Sequence, residues 1–267
     1  MGIFDFFKKK VSPEKFISAV SADNVALVEK LLKNGADVNT TDQSGKTALM
    51  LAENIETVKK LLAYGADVNA TDENGWTALL HASRNSNIEV ANILLEYGAD
   101  TNVADKNDST ALMYAAGKNC TEIIQNLLKN GADVNATNKN GWTALLRASH
   151  ENAVETAKIL LRNGANINKV NKQGKTAFMQ AFYRGHAEMM KILLKNGANI
   201  DATDKKGWTV LIHASCYGYA GMVKILLEHG ANINATDKNG KTALMYAISN
   251  HRTEAINLLK AKSTKSE

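Results

Sequence analysis

The stretch that decides the fold is residues 72–104, which reads DENGWTALLHASRNSNIEVANILLEYGADTNVA. Two of its elements return along the chain. A Gly-Ala-Asp or Gly-Ala-Asn tripeptide recurs along the chain, first after 30 residues and then five times after 33. Its copies begin at Gly35, Gly65, Gly98, Gly131, Gly164, Gly197 and Gly230. A Thr-Ala-Leu element or a close variant begins, at the same intervals, at Thr47, Thr77, Thr110, Thr143, Thr176, Thr209 and Thr242. Two ladders that share even the short first interval establish an array of repeats.

Within one repeat, residue types predict a turn followed by two helices. Asp72 and Gly75 occupy the first and fourth positions of a type I turn. Thr77 is placed to cap a first helix, because its hydroxyl can accept a backbone N–H. Apolar residues at three-to-four spacing over 88–95 predict a second helix, and Gly98 ends it in the left-handed conformation. Two helices this short cannot bury their apolar faces alone, so the repeats must stack.

This repeat resembles the ankyrin repeat, whose hallmarks are an Asp-x-x-Gly turn, Thr-Pro-Leu-His-x-Ala and Leu-Leu-x-x-Gly-Ala-(Asp/Asn)-x-Asn. The matching segments are Asn-Gly-Trp-Thr-Ala-Leu-Leu-His-Ala at 74–82 and Leu-Leu-Glu-Tyr-Gly-Ala-Asp-Thr-Asn at 94–102. The resemblance covers about residues 14–262. It implies an all-α ankyrin-repeat solenoid of stacked helix pairs, with fingers made of β-turns or hairpins projecting from them.

The ladders predict the organisation of the chain. We expect an N-terminal tail (1–12), a capping half-repeat (13–41), six repeats (42–236), a C-terminal capping repeat (237–262) and a tail (263–267). The first of the six repeats lacks three residues between Ala52 and Val58, so we expect an abbreviated loop between its helices. Asp108 stands where the turn glycine belongs, and we expect a local irregularity there as well.

Composition excludes several protein classes. Two cysteines in 267 residues cannot form a disulfide framework, and no apolar run approaches the roughly 18 residues of a membrane-spanning helix. The N-terminal sequence MGIFDFFKKK places its lysines after its apolar residues, unlike a secretory signal. We expect a frayed tail there, although contact with an anionic membrane surface stays open. The expected location is the cytoplasm of a bacterium or parasite, with export by a route that needs no signal peptide left open.

The sequence predicts no enzyme and no catalytic, metal or cofactor site. It contains no Walker loop, no His-Glu-x-x-His and no Cys-x-x-Cys. His213 and Cys216 lie three residues apart on one predicted helix, as in a thiol–imidazole pair. No acid lies at a matching spacing, however, and nothing in the sequence suggests a pocket. The family resemblance implies that His186, in a Gly-His pair between helices, forms a loop hydrogen bond.

Binding is predicted first from a column of tryptophans. The three tryptophans of the chain each follow the turn glycine, 66 residues apart, at Trp76, Trp142 and Trp208. We interpret them as exposed contact residues at the finger tips, because tryptophan is a favoured interface anchor. The alternative is duplication of a two-repeat block, which would explain the spacing alone.

A second set of candidate contact residues lies on the predicted inner face of the first helices. These residues are of types enriched at interfaces, namely His81, Tyr114, Arg147, Tyr183, Arg184, His213 and Tyr217. The alternative is a solvated face of mixed polarity.

Charge on the predicted fingers is uneven. From Lys172 onward the finger turns carry six lysines against two acids, whereas the earlier turns carry three against five. Lys172, Lys175, Lys205 and Lys206 therefore predict attraction of an acidic protein surface. We expect a monomeric, non-catalytic scaffold that binds another protein through its concave groove and finger tips. Binding of nucleic acid or an anionic surface through the same lysines is the less favoured alternative, because the total charge of the turns is small.

Overall fold

A computed structural model describes residues 11–263 of the chain. The chain forms two compact units, Met1–Lys139 and Asn140–Glu267. The N-terminal segment 1–10, where membrane contact was left open, and residues 264–267 lie outside the described residues. The longest helix within 11–263 has 11 residues, and none of the described helices is long and apolar enough to cross a bilayer.

The first unit consists of four consecutive helix pairs. Its helices are α1 Pro13–Ser21, α2 Val25–Lys33, α3 Ala48–Leu51, α4 Ile55–Ala63, α5 Ala78–Asn85, α6 Ile88–Glu96, α7 Ala111–Gly117 and α8 Thr121–Lys129. The first helix of each pair packs on the first helix of the next, and the second helices pack likewise. The stacking that the apolar faces require is therefore present.

The second unit repeats this arrangement. Its helices are α9 Ala144–His150, α10 Val154–Arg162, α11 Ala177–Arg184, α12 Ala187–Lys195, α13 Val210–Tyr217, α14 Ala220–Glu228, α15 Ala243–Ser249 and α16 Thr253–Ser263. Helix α16 thus includes Ser263, which the sequence assigned to the tail. Leu145 and Leu146 of α9 and Leu160 of α10 are almost completely buried, so the core lies between stacked pairs.

Threonine caps begin most of the first helices, as the sequence predicts. The Thr77 hydroxyl accepts the Leu80 N–H at 3.2 Å, which satisfies one of the donors left free at a helix start. The same bond occurs at Thr47, Thr143, Thr176, Thr209 and Thr242. Helix α6 is followed by Gly98 at φ +80°, the left-handed conformation expected there.

The Gly-Ala-Asx-x-Asn ladder has a structural role between repeats. Asn69 Oδ1 accepts the backbone N–H of Asp100 at 2.8 Å, and Asn102 Oδ1 accepts that of Asp133 at 2.8 Å. In the second unit, Asn168 Oδ1 accepts the Asn199 N–H at 2.9 Å. A side chain of one repeat therefore fixes the backbone of the next, which explains why the motif keeps its spacing.

The short repeat differs from expectation in where its residues are missing. Helix α3 has four residues, whereas the first helices of the later repeats have seven or eight. The connection to α4 keeps three residues, 52–54, like the connection 118–120 between α7 and α8. The loop is retained because Asn54 must cap α4, where its Oδ1 accepts the Glu56 N–H at 2.8 Å. The expectation of an abbreviated loop was wrong; the first helix is shortened instead.

The expected irregularity at Asp108 is also absent. Asp108 has φ +59°, and its N–H donates to the Asp105 carbonyl at 2.8 Å. The glycine turn in the preceding repeat has the same bond, from Gly75 N–H to the Asp72 carbonyl at 2.9 Å. Aspartate preserves the turn because it is among the few residues that tolerate the left-handed region.

Candidate functional site

Three finger turns that begin with aspartate, at Asp105, Asp204 and Asp237, are fastened to their own first helices. Asp105 Oδ1 accepts the backbone N–H groups of Asn107 at 2.8 Å and Ser109 at 2.9 Å. Its second oxygen, Oδ2, accepts the hydroxyl of Tyr114 at 2.6 Å. Burial, with this bond to the carboxylate, raises the pKa of Tyr114 to about 12. Tyr114 is thus a neutral donor that orients the finger.

The same interval of nine residues recurs along the chain. Asp237 Oδ2 accepts the Tyr246 hydroxyl at 2.6 Å, and Asp204 Oδ2 lies 3.1 Å from His213 Nε2. Asp72 Oδ2 and His81 Nε2 are 4.0 Å apart, which is too long for a hydrogen bond. This pairing was not predicted from the sequence, although the fixed interval between turn aspartates and polar helix residues was a signal for it.

The tryptophan column is not exposed as expected. Trp76 is half-buried, with its ring 5.0 Å from that of His81 and 4.7 Å from that of Tyr114. Trp208 is also half-buried, 4.7 Å from His213 and 4.6 Å from Tyr246. Rings from the same repeat and the next supply apolar faces to each indole, and such ring pairs are stabilising. The expectation of free finger-tip indoles was therefore wrong, and contact with a partner stays a prediction.

The neighbours of Trp142 are basic side chains. The Arg147 guanidinium lies 5.0 Å from the ring centroid, and the His150 ring meets the indole edge-on at 5.4 Å. Arg184 Nε donates to His150 Nε2 at 2.9 Å. Two predicted contact residues, Arg147 and Arg184, are thereby placed around a half-buried tryptophan.

Seven of the predicted residues of the second unit converge on a cleft of about 620 Å³. It lies between the finger turns 171–174 and 204–207 and the helices α11 and α13. Its lining residues are Lys172, Gln173, Lys175, Tyr183, Asp204, Lys205, Lys206, His213 and Tyr217. We call this the lysine cleft. It corrects the sequence-based view that nothing suggested a pocket, because residues about 30 apart in the chain became neighbours only on stacking.

His213 forms the floor of the lysine cleft. It is buried, with Nε2 at 2.6 Å from Tyr183 Oη and 3.1 Å from Asp204 Oδ2. Its Nδ1 is buried without a hydrogen-bond partner, which places the proton of the neutral ring on Nε2. Burial lowers the pKa of His213 and outweighs the opposing effect of Asp204, while Lys175 and Lys206 lower it further. The imidazole is a neutral, fixed donor.

The carboxylate of Asp204 accepts hydrogen bonds from groups of this protein. Its Oδ1 accepts the backbone N–H groups of Lys206 at 2.8 Å and Trp208 at 3.0 Å. Burial by itself would raise the pKa of Asp204, but these bonds and the His213 ring together hold it below its ordinary value. The carboxylate is thus ionised and fully engaged by donors around it.

The lysines of the cleft are not engaged in this way. Lys172, Lys205 and Lys206 are exposed, and Lys175 places its ammonium group 4.2 Å from the centroid of the Tyr183 ring. Within residues 11–263, none of the four forms an ion pair with a carboxylate, whereas Lys33, Lys60 and Lys158 on the helices all do. The cleft therefore presents four ammonium groups that lack a carboxylate partner among the described residues, and three of them belong to exposed side chains.

The geometry around Cys216 does not form a thiol–imidazole pair. His213 Nε2 faces Tyr183 and Asp204, and Cys216 Sγ accepts a contact from Asn250 Nδ2 at 3.7 Å. Asp204 supplies the acid that the sequence seemed to lack, nine residues before His213. In the described part of the chain, no group of three or more His, Cys, Asp or Glu residues could hold a metal ion.

The expected loop role of His186 is confirmed. Its Nε2 lies 3.1 Å from the backbone carbonyl oxygen of His150. The connection between α11 and α12 is thus tied to the preceding repeat.

Comparison with protein families agrees with the repeat, the turns and the helix pairs. A family model described as ankyrin repeats (3 copies) matches residues 16–105, 51–138, 112–204 and 178–266. Comparison with curated proteins gave no match. The family matches overlap and together span almost the whole chain, so the chain belongs to the ankyrin repeat family.

Proposed function

We propose that this chain is a non-catalytic scaffold that binds a partner protein through the finger turns and first helices of its units. Ankyrin repeats generally mediate protein–protein interaction. The observation that carries the proposal for this chain is the lysine cleft. It combines unpaired cations with Tyr217, whose side chain is 54% exposed, next to Tyr219, which is 56% exposed. Exposed tyrosines beside a polar cleft are the chemistry of a recognition surface.

The sign of the charge favours an acidic partner. The ammonium groups of Lys172, Lys175, Lys205 and Lys206 surround the cleft, and the nearest carboxylate, Asp204, is satisfied by the fold. A partner surface with carboxylates would associate faster through long-range attraction, and salt would weaken this effect.

Nucleic acid is the weaker candidate because of where the indoles lie. Single-stranded nucleic acids are bound by aromatic rings that are free to stack on bases. Trp76 and Trp208 each pack instead, in tilted orientation, against two rings of this protein. We therefore expect no mobility shift with DNA or RNA at low salt; a shift whose affinity falls steeply with salt would favour this alternative.

Selection from a library of displayed protein fragments tests the scaffold function. The full chain is immobilised, and enriched fragments are titrated against Arg184→Ala and Tyr217→Ala variants. Both side chains are exposed on the proposed binding side. We expect at least one variant to weaken binding about tenfold, since truncation of a few arginine or tyrosine residues dominates most interfaces.

Matched variants on the second helices provide the control. Lys191→Ala and Lys195→Ala alter exposed residues of α12, away from the finger turns, and should leave fragment binding unchanged. Enrichment of no fragment over a scrambled library would count against the scaffold function. Fragments whose binding depends only on Lys191 and Lys195 would place the binding surface on α12, which would contradict the proposal.

A further inference from the structure

Two lysines of the lysine cleft belong to a row of lysines that continues into the next finger at a regular spacing. Lys172 and Lys205 occupy the second position of the finger turns 171–174 and 204–207, and Lys238 occupies it in the turn 237–240. These turns are joined to one another by backbone bonds. The Lys205 N–H donates to the Gln173 carbonyl at 3.4 Å, and the Lys238 N–H donates to the Lys206 carbonyl at 3.5 Å.

The turn glycines hold this stacking in place. A methyl group at Gly174, which has φ +76°, would lie 2.9 Å from the Lys205 backbone nitrogen. At Gly207 the corresponding distance to the Lys238 nitrogen is also 2.9 Å. The fingers are therefore in backbone contact, and their lysines form a row whose period is that of the repeats. Since the repeats are stacked helices, that period is about 8–10 Å.

An extended polypeptide matches this row. In the polyproline II conformation its residues advance by about 3.1 Å each with three residues per turn, so every third side chain lies on the same side of the segment, about 9 Å further along. Carboxylates at every third residue would then each meet the lysine of a successive finger. An α-helix, which rises about 1.5 Å per residue, would need acids at about every seventh residue to match the same period, so the spacing of the acids distinguishes the two conformations.

We propose that the lysine cleft, together with Lys238 of the next finger, binds an extended acidic segment of a partner protein, in which aspartate or glutamate recurs at every third residue. This proposal rests on the proposed scaffold function and specifies its ligand. Lys172, Lys205 and Lys238 provide the row, and Lys175 and Lys206 add charge beside it. Tyr217, which is exposed and lies 5.9 Å from Tyr219 ring to ring, contacts the side chains between the acids.

Synthetic peptides of one composition test the spacing. Three fluorescent 12-residue peptides each contain four glutamates, four serines and four glycines, with the glutamates at every third residue, at every second residue, or in one block. Their binding to the full chain is measured by fluorescence anisotropy. We expect the peptide with a spacing of three to bind about tenfold more tightly than the blocked peptide, since complementary charge placement sets specificity.

Charge reversal in the cleft is the second part of the test. The Lys172→Glu/Lys205→Glu variant should bind the spaced peptide about tenfold more weakly, with a smaller dependence on salt. The Lys191→Glu/Lys195→Glu variant changes the net charge by the same amount on α12 and should bind it normally. Thermal melts of both variants show that they remain folded.

Several results would overturn the proposal. These are equal affinity for all three peptides, no binding of the spaced peptide, an equal loss in both charge-reversal variants, and tighter binding of single-stranded DNA of the same charge. The scaffold function has a separate outcome. Displayed fragments that need Arg184 or Tyr217 but not Lys172 and Lys205 would retain the scaffold function and reject the acidic segment.

Discussion

The aspartate of a finger turn uses both of its carboxylate oxygens in different directions. Oδ1 of Asp204 holds the turn through backbone N–H groups, and Oδ2 reaches His213 on the first helix. The tryptophan that follows the turn, Trp208, then packs at a tilt against the His213 ring. A residue that looked like a binding element in the sequence is therefore also part of the join between finger and helix.

Replacement of one such tryptophan should affect stability. Trp208→Ala removes contacts with His213 and Tyr246, and we expect a loss of about 2 kcal/mol in the free energy of unfolding. Lys241→Ala, at the same position of the next finger, should cost less than about 1 kcal/mol because Lys241 is exposed. Thermal or urea unfolding of both variants measures the difference. An unchanged melting temperature for Trp208→Ala would show that the indole is dispensable to the fold.

The half-buried His81 and the buried His213 should make stability depend on pH in the mildly acidic range. Burial lowers the pKa of both His81 and His213 below the ordinary value of 6.5. As the pH falls below about 6.5, the unfolded chain therefore binds protons that the folded chain does not, and stability is lost. At position 213 the groups that face the ring are Asp204, which opposes the shift, and Lys175 and Lys206, which add to it.

Glutamine replacements test this dependence. Gln180 already occupies the corresponding position of another repeat and is buried there. The His81→Gln/His213→Gln variant should lose less stability than the wild type between pH 7 and pH 5, as measured by urea unfolding at each pH. Equal losses in the two proteins would assign the dependence to other groups.

At the scale of the element, the four-residue helix α3 should be the least protected first helix of its unit. It has only one turn in which to form backbone bonds, such as Ala52 N–H to the Ala48 carbonyl at 3.1 Å, and short helices depend on their neighbours. Hydrogen exchange measured by NMR should be about tenfold faster at Leu51 and Ala52 than at His81 and Ala82, which hold the same positions in α5. Uniform protection would contradict this expectation.

An insertion provides the matched control for α3. Adding Ser-Arg-Asn after Ala52 restores the length found between Thr77 and Ile88. The extended helix should gain protection at Leu51 and raise the melting temperature. A lower melting temperature would show that the shortened helix fits its neighbours better than a full one.

At the scale of the whole molecule, each repeat depends on the one that follows it to cover its apolar face. Met179 and Met245 hold the same position in their repeats, three residues after the capping threonine. Met179 is 0% exposed, whereas Met245 in the last repeat is 53% exposed. Identical residues therefore contribute differently because only one of them has a following repeat.

The two positions should differ in whether they tolerate a charged residue in place of methionine. Met179→Lys should destabilise the chain by about 3–5 kcal/mol, because it places an unpaired ammonium group in the core. Met245→Lys should change stability by less than about 1 kcal/mol. Urea unfolding of the two variants gives the comparison. Equal destabilisation would mean that Met245 is covered in solution.

The sequence by itself determined the repeat, its period, the Thr77-type caps and the turn glycines, because each of these depends on residues close together in the chain. It also selected seven of the residues that line the lysine cleft. Only the tertiary structure decided that these residues meet, that the Asp204 carboxylate is hydrogen-bonded to His213 of its own repeat, and that Trp76 and Trp208 are half-buried. The first and last of those features depend on contacts between residues about 30 positions apart, which exist only once successive repeats have stacked. The same stacking fixes the spacing of the cleft lysines, which depends on the packing of helices and not on the residues that the turns contain.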